Sequence, residues 1–141
     1  MIKFVYKPNQ MTDRDKRILE LRGGAIGETQ NSSEEERFQN ETIRPILKLQ
    51  GDLFVASFRN YIRKHKNEFH LLNVEKKLIY IENALQRDIK YRNALKGMIM
   101  AWFTQEEYER YIQNSSNLNK RMMNLLIEAL KDSVQLLEPQ D

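Results

Sequence analysis

The sequence predicts an all-α protein, a helical bundle of about five to six helices with one long central helix. Along most of the 141 residues, apolar side chains recur at steps of three and four, which places them on one face of a helix. Residues that cap helix N-termini stand before several of these stretches. Strand-like alternation is confined to residues 2–7. The length suits a single helical domain, which we assign to residues 11–141.

The chain begins with ten residues outside any helical period, and we expect residues 1–10 to be peripheral or disordered. Helical spacing starts just after Met11, so translation could begin at either Met1 or Met11. The first helix is predicted over residues 12–22, with Thr12 as its N-cap. A pair of glycines ends this helix and begins the main loop of the molecule.

The region 33–68 is predicted to be one bent helix or two consecutive helices. Ser32 or Ser33 can cap its N-terminus, because glutamates follow at the spacing of a capping box. Pro45 lacks the amide proton that a helix interior needs, so a break or kink is expected one residue before it. Gly51 is a second weak point, at a cost of about 1 kcal/mol relative to alanine.

The central helix is predicted over residues 74–102, capped by Asn73 and about 43 Å long. Asp88 and Arg92 fall on its apolar face and are four residues apart. Because a buried charge needs a partner, they are expected to pair with each other or with a polar group on another helix. They form either a candidate polar pocket in the bundle interior or a structural ion pair.

Two further helices are predicted near the C-terminus. Thr104 and Glu107 have the spacing of a capping box and begin a short helix that reaches about residue 113. The last helix is predicted over roughly residues 117–137, with one apolar face, and Pro139 ends it. This helix should pack along the central helix.

Charge is distributed unevenly along the chain. The net charge of the whole chain is +3, whereas residues 44–96 hold 12 basic and 5 acidic side chains. Aromatic residues stand near many of these lysines and arginines, a composition suited to phosphates and stacked bases. Solvated helix faces share this composition, so both interpretations stay open. The candidate anion-binding surface comprises Arg59, Arg63, Lys64, Lys66, Lys76 and Lys77.

The loop after the first helix is a second candidate for anion binding, because glycines let the backbone approach a ligand. Its pattern differs from a strand-to-helix phosphate loop, since Glu28 rather than a lysine precedes Thr29. A helix C-cap followed by a surface loop is the favoured interpretation. The candidate residues of this loop are Arg22, Gly23, Gly24 and Gly27.

The run from residue 98 to residue 103 is apolar around the whole helix circumference. A bundle helix needs only one apolar stripe, so either the following short helix wraps this end or a second subunit covers it. The second alternative predicts a homodimer. The candidate self-association patch consists of Met98, Met100, Trp102 and Phe103.

Several chemistries lack the residues that they require. Because the chain has no cysteine, disulfides, thiolate nucleophiles and thiolate-bound metals are excluded. Its two histidines, His65 and His70, are five residues apart, whereas two metal ligands on one helix face are three or four apart. We therefore predict no catalytic residue, no metal and no cofactor. No apolar run approaches the roughly 18 residues of a membrane span, and no export signal is recognisable, so we predict a cytoplasmic protein without a membrane partner.

Residues 21–38, 114–116 and 120–126 resemble a family of short helical bacterial proteins whose function is not established. The resemblance extends over about residues 11–137. Some members carry the label glyoxalase, which implies metal-dependent lyase activity on a hemithioacetal. Glyoxalases I of the common type use a βαβββ fold with His and Glu metal ligands. The residues of this chain match neither feature, so no catalytic residue is transferred.

These observations favour a non-catalytic interaction or regulatory module with a protein partner. The first alternative is an anion-binding or nucleic-acid-binding protein that uses residues 59–96, and a metal-dependent lyase is the remote alternative. Salt-sensitive retention on heparin or nucleic acid would favour the first alternative. A metal or small ligand that contacts Asp88 and Arg92 would favour an enzyme.

Overall fold

The computed structural model describes residues 1–139 and shows an all-helical fold in which these residues form no strand. The helices α2 and α3 are joined by a π-helical turn into one continuous helix, so the described residues hold seven helices in place of the five to six predicted. The prediction of a helical bundle is confirmed. The elements are α1 (Asp13–Arg22), α2 (Glu34–Phe38), a π turn (Gln39–Ile43), α3 (Arg44–Leu49), α4 (Gly51–Lys64), a 3-10 turn (Glu68–Leu71), α5 (Val74–Arg87), α6 (Ile89–Met100), α7 (Gln105–Gln113), α8 (Ser115–Asp132) and a second 3-10 turn (Val134–Leu137).

Four predicted N-caps are confirmed, since each side chain accepts a hydrogen bond from the backbone amide three residues later. Thr104 and Glu107 also form the reciprocal bond of a capping box. The cap-to-amide distances are 3.2 Å for Thr12, 3.1 Å for Ser33, 2.9 Å for Asn73 and 3.2 Å for Thr104. These four helix starts are therefore set by local sequence.

The prediction of one central helix over residues 74–102 is wrong. The chain leaves helical geometry at Asp88, with φ −83° and ψ 92°, so α5 and α6 are separate helices. The Asp88 carboxylate accepts a hydrogen bond from the Tyr91 amide at 3.1 Å and caps α6. An interruption of a single residue leaves the apolar period almost unchanged, which is why periodicity alone did not reveal it.

The break predicted before Pro45 is a π turn. The amide of Arg44 donates to the carbonyl of Gln39, five residues back, and Pro45 has no amide to donate to Glu41. The carbonyls of Asn40 and Glu41 consequently accept bonds from outside the helix. The Ile26 amide reaches Asn40 at 2.8 Å, and a side chain of α1 reaches Glu41. The proline thus creates the attachment points for the glycine loop.

The core lies between α4, α5, α6 and α8, and the continuous helix α2–α3 packs against it. The last helix was predicted over residues 117–137. It begins at Ser115 and already ends at Asp132, and a 3-10 turn follows it. Residues 1–10 are exposed and lie outside every helix. The largest fully buried side chains are Phe38, Ile43, Ile46, Phe58, Ile62, Phe69, Ile81, Leu85, Leu95, Ile99, Met122 and Leu126.

Within residues 1–139, no helix combines the length and the apolar composition that a bilayer span requires.

Candidate functional site

Arg22, predicted as a possible ligand-binding residue of the glycine loop, lies inside the protein and is 6% exposed. Its guanidinium binds both carboxylate oxygens of Glu107, at 2.6 and 2.7 Å. It also donates to the carbonyls of Trp102 and Glu41, each at 3.1 Å. Because the charge is used within the chain, Arg22 cannot meet an anion at the loop.

The Glu107 carboxylate accepts two further bonds inside the fold. The Thr42 hydroxyl donates to Oε2 at 2.6 Å and the Thr104 amide donates to Oε1 at 2.8 Å. Burial raises the pKa of Glu107, but its bonds with Arg22, Thr104 and Thr42 together lower that pKa below the ordinary value. Glu107 is therefore held ionised, which suits a structural ion pair that joins α1, the π turn and α7.

The lowered pKa makes a prediction about acid stability. A depressed folded-state pKa adds stability that is fully present above the ordinary pKa of 4.5 and is lost as pH falls through the folded value. We expect the free energy of unfolding to fall from about pH 5 downward, and to fall less steeply in Glu107→Gln. Urea titrations between about pH 3 and pH 6 measure both slopes. Equal slopes in the two proteins would contradict this assignment.

The glycines of the loop serve its conformation. Gly23 is the C-cap of α1, with φ 75°, as a C-terminal glycine predicts. Gly27 has φ 107°, and a Cβ at this position would lie 2.9 Å from Cγ of Asn40. The Asn40 amide nitrogen donates to the Glu28 carbonyl at 2.8 Å. This bond and the bond from the Ile26 amide to the Asn40 carbonyl hold the loop against the π turn.

We expect Gly27→Ala to lower the free energy of unfolding by about 1–3 kcal/mol, because it combines backbone strain with a clash against Asn40. Gly24→Ala is the matched control. An added Cβ at Gly24 meets nothing within 4 Å, and its φ is not positive. The control should change stability by less than about 0.5 kcal/mol or increase it slightly. Urea unfolding of both variants tests the difference, and similar losses would contradict it.

The side chains of Asp88 and Arg92 form no ion pair with each other in the described structure. Asp88 is half-buried and accepts a hydrogen bond from the Tyr61 hydroxyl of α4 at 3.0 Å, so the alternative of a polar partner on another helix describes it. The Tyr91 amide and the Tyr61 hydroxyl hold the pKa of Asp88 below its ordinary value. Arg92 is also half-buried, and its Nε has no partner among the described residues.

Three aromatic rings form a stack at this place. The ring centroids of His65 and Tyr61 are 4.1 Å apart, and those of Tyr61 and Tyr91 are 4.3 Å apart. His65 is exposed, so the stack ends at the surface. On its inner side, the Tyr91 hydroxyl is hydrogen-bonded to Ser57 at 3.0 Å. In the sequence, His65 could be a metal ligand or a surface or partly packed histidine, and no spacing predicts this stack.

The predicted basic surface is divided between different faces. Arg59 and Arg63 lie one turn apart on α4, whereas Lys64 belongs to a different face of that helix. Lys66 and Lys76 are exposed near the ends of α4 and α5. Lys77 is 8% exposed, so its inclusion in an exposed surface is wrong. The apolar period of α5 turns this lysine inward.

Two neighbouring pockets between α4 and the C-terminal segment share Arg59 and Arg63 as lining residues, so we treat them as two halves of one groove. We call this feature the basic groove. One half has a volume of about 360 Å³ and the other about 390 Å³. Its lining consists of Asp52, Val55, Ala56, Arg59, Arg63, Asn67, His70, Leu136, Leu137 and Pro139.

The polar groups of the basic groove are only partly used by the protein. One guanidinium nitrogen of Arg59 donates to the carbonyls of Leu136 and Glu138, at 3.0 and 3.1 Å. The side chain of Arg63 is exposed, and its guanidinium makes no hydrogen bond or ion pair with the described residues. Nδ1 of His70 is shielded from solvent and has no partner among them. The groove therefore offers the available guanidinium of Arg63, whereas the unsatisfied ring nitrogen of His70 is buried beneath it.

The predicted self-association patch is partly covered by the chain itself. Phe103 is 2% exposed, and its ring lies 5.5 Å from Phe38 and 5.6 Å from Tyr111 of α7. The alternative in which α7 wraps this end therefore accounts for Phe103. Met98, Met100 and Trp102 are half-buried against the core. Self-association through these three residues stays a prediction, which light scattering at high concentration tests.

No protein-family model, curated protein or solved structure matches this chain. The resemblance of residues 21–38 to a bacterial family stays a prediction. In the part of the chain that the structure describes, no three His, Asp or Glu side chains come together as a metal site would require.

Sequence reasoning found the arginines of the groove and missed the residues opposite them. His70 lies in a 3-10 turn, Leu136 belongs to the predicted end of the last helix, and Glu138 follows that predicted helix. No spacing in the sequence connects Arg59 with Leu136 and Glu138, which follow it by 77 and 79 positions. The only available signal was the charge excess of residues 44–96 beside an acidic C-terminal region.

Proposed function

We propose that the protein is a non-catalytic binding module that takes an acidic segment of a partner protein in the basic groove. The observation that carries this proposal is the placement of Arg59 and Arg63, which line both halves of the groove. Arg63 has no ion-pair partner among residues 1–139, so binding a carboxylate costs no internal bond. Arginine can hold a carboxylate through two parallel hydrogen bonds.

The walls of the groove define the partner further. Val55, Ala56 and Leu136 supply apolar contacts beside the guanidinium groups. A segment that alternates carboxylates with aliphatic side chains matches both kinds of surface. The positive charge of residues 44–96 would also increase the rate at which an acidic partner arrives. Peptide recognition therefore explains the combination of charge and apolar walls better than a small inorganic anion does.

The C-terminal segment of the chain illustrates this mode of docking. Residues Val134–Leu137 pack against α4, and two of the segment's carbonyls accept bonds from Arg59. Backbone carbonyls occur in every peptide, and the segment adds two leucines and a glutamate. This face of α4 therefore already holds one peptide segment of this composition, and the guanidinium of Arg63 beside it is left for the segment of a partner.

The test uses a fluorescent peptide that copies residues 132–139, with binding measured by fluorescence anisotropy. We expect the wild-type protein to bind it and Arg63→Gln to weaken binding about tenfold, as one charged contact would. Lys64→Gln is the matched control, since it removes the same charge one residue away on a different face. Absence of binding, or equal weakening by both substitutions, would overturn the proposal.

A second candidate function, binding of single-stranded nucleic acid, is favoured by the ring stack of His65, Tyr61 and Tyr91. An exposed ring can stack on a base, and Lys64 and Lys66 flank His65 in the sequence. The Asp88 carboxylate at the stack repels phosphates, which places this candidate second. It requires that a pyrimidine oligonucleotide bind in a salt-sensitive manner and that His65→Ala, but not Arg63→Gln, weaken that binding.

A further inference from the structure

Lys77 is a cation that the fold has built into an enclosed position. Its side chain is 10% exposed, and its ammonium lies 5.4 Å from the centroid of the Phe69 ring. Nζ donates to Oε1 of Glu138 at 2.7 Å. A charge removed from water in this way needs an anion beside it. The position therefore selects for a carboxylate.

Glu138, which supplies the carboxylate beside Lys77, is much more exposed than the lysine. The side chain of Glu138 is 49% exposed and follows the last 3-10 turn of the described chain. Leu137, which is 1% exposed, anchors the segment one residue earlier. Arg59 holds the backbone of Glu138 but not its carboxylate. The carboxylate can therefore move outward while the anchor stays in place.

The Lys77 position adjoins the basic groove. Leu137 and Pro139, the neighbours of Glu138, both line the half of the groove that contains His70. Phe69, under the ammonium, directly precedes His70, which lines the same half. Glu138 itself links the two places, because its backbone carbonyl accepts a hydrogen bond from Arg59 at 3.1 Å and its carboxylate accepts one from Lys77 at 2.7 Å.

We propose that Lys77 is a second carboxylate subsite of the basic groove and that Glu138 is its tethered occupant, which a carboxylate of the acidic partner replaces. This inference rests on the proposed function and adds its regulation, because the chain's own glutamate competes with the partner. The exchange swaps one carboxylate for another on the same ammonium. The ion pair of the resting protein is thus reproduced in the complex.

The test is Glu138→Gln in the full chain, with the same peptide of residues 132–139 as the probe. Removing the competitor should raise affinity about tenfold. Asp132→Asn is the matched control, because it removes an exposed carboxylate from the same region and should leave affinity unchanged. The gain should disappear when Lys77→Gln is added. It should also disappear when the glutamate of the peptide is replaced by glutamine, a measurement that does not depend on folding of the Lys77 variant.

A direct measurement separates this inference from the proposed function. In Glu138→Gln, added acetate should shift the NMR signals of the Lys77 side chain, and in the wild type it should shift them much less. Unshifted Lys77 signals, or unchanged peptide affinity in Glu138→Gln while Arg63→Gln still weakens binding, would overturn the inference alone. Loss of all peptide binding with shifted Lys77 signals would overturn the proposed function and leave the subsite in place.

Discussion

Glu107→Leu is expected to lower the free energy of unfolding by about 3–5 kcal/mol, a large part of the roughly 5–15 kcal/mol that holds a domain together. The leucine would leave the Arg22 guanidinium without its anion in a position that is 6% exposed. It would also leave the Thr42 hydroxyl and the Thr104 amide without an acceptor. Each loss adds a desolvation cost that no water can offset inside the core. Urea unfolding followed by circular dichroism measures the change.

Glu106→Leu is the matched control for this prediction. Glu106 is the neighbouring residue in the first turn of α7, and its pair with Arg110 at 3.6 Å is largely exposed. Its replacement should cost less than about 1 kcal/mol. The double variant Arg22→Met with Glu107→Leu should be less destabilised than the two single losses together, because neither charge is then left alone. A loss below about 1 kcal/mol in Glu107→Leu would contradict the structural role of the pair.

Phe58→Ala should destabilise the protein by about 3–5 kcal/mol. Phe58 is fully buried, and its ring contacts four others within 6.3 Å, those of Tyr61, Phe69, Tyr80 and Tyr91. Removing it loses apolar burial and leaves a cavity that rigid neighbouring rings cannot fill. The same substitution at Leu53, on the same helix but 48% exposed, should cost about 1 kcal/mol or less. Comparable losses at the two positions would show that the aromatic cluster does not hold α4 in place.

The start of most helices could be predicted from the sequence because capping is a contact between residues three apart. Thr12, Ser33, Asn73 and Thr104 were all identified in this way. The interruption at Asp88 was missed although aspartate is a common N-cap, since the apolar period continued across it. A capping residue inside a periodic stretch has two local interpretations, helix interior and helix start. Here the hydrogen bond to Tyr61 of α4 favours the start.

The candidate site could be predicted only in part, for a related reason. The charge excess of residues 44–96 named Arg59 and Arg63 among the candidate anion-binding residues, with a solvated helix face as the alternative. The same reasoning counted Lys77 and Arg22 as available cations. Each is instead paired with a glutamate, 61 and 85 residues away in the chain. The residue type gives the charge of a side chain, but it does not show whether another residue already neutralises that charge.

By itself, the sequence determined the helical class, four of the N-caps, the glycine C-cap of α1 and the irregular helical turn before Pro45. All of these depend on interactions within a few residues, so their information is local. Only the tertiary structure decided that Arg22 meets Glu107, that Glu138 meets Lys77, and that Arg63 faces solvent in a groove. Those outcomes depend on which helices pack together. Packing brings together residues that are far apart in the chain, and their spacing in the sequence does not predict this contact.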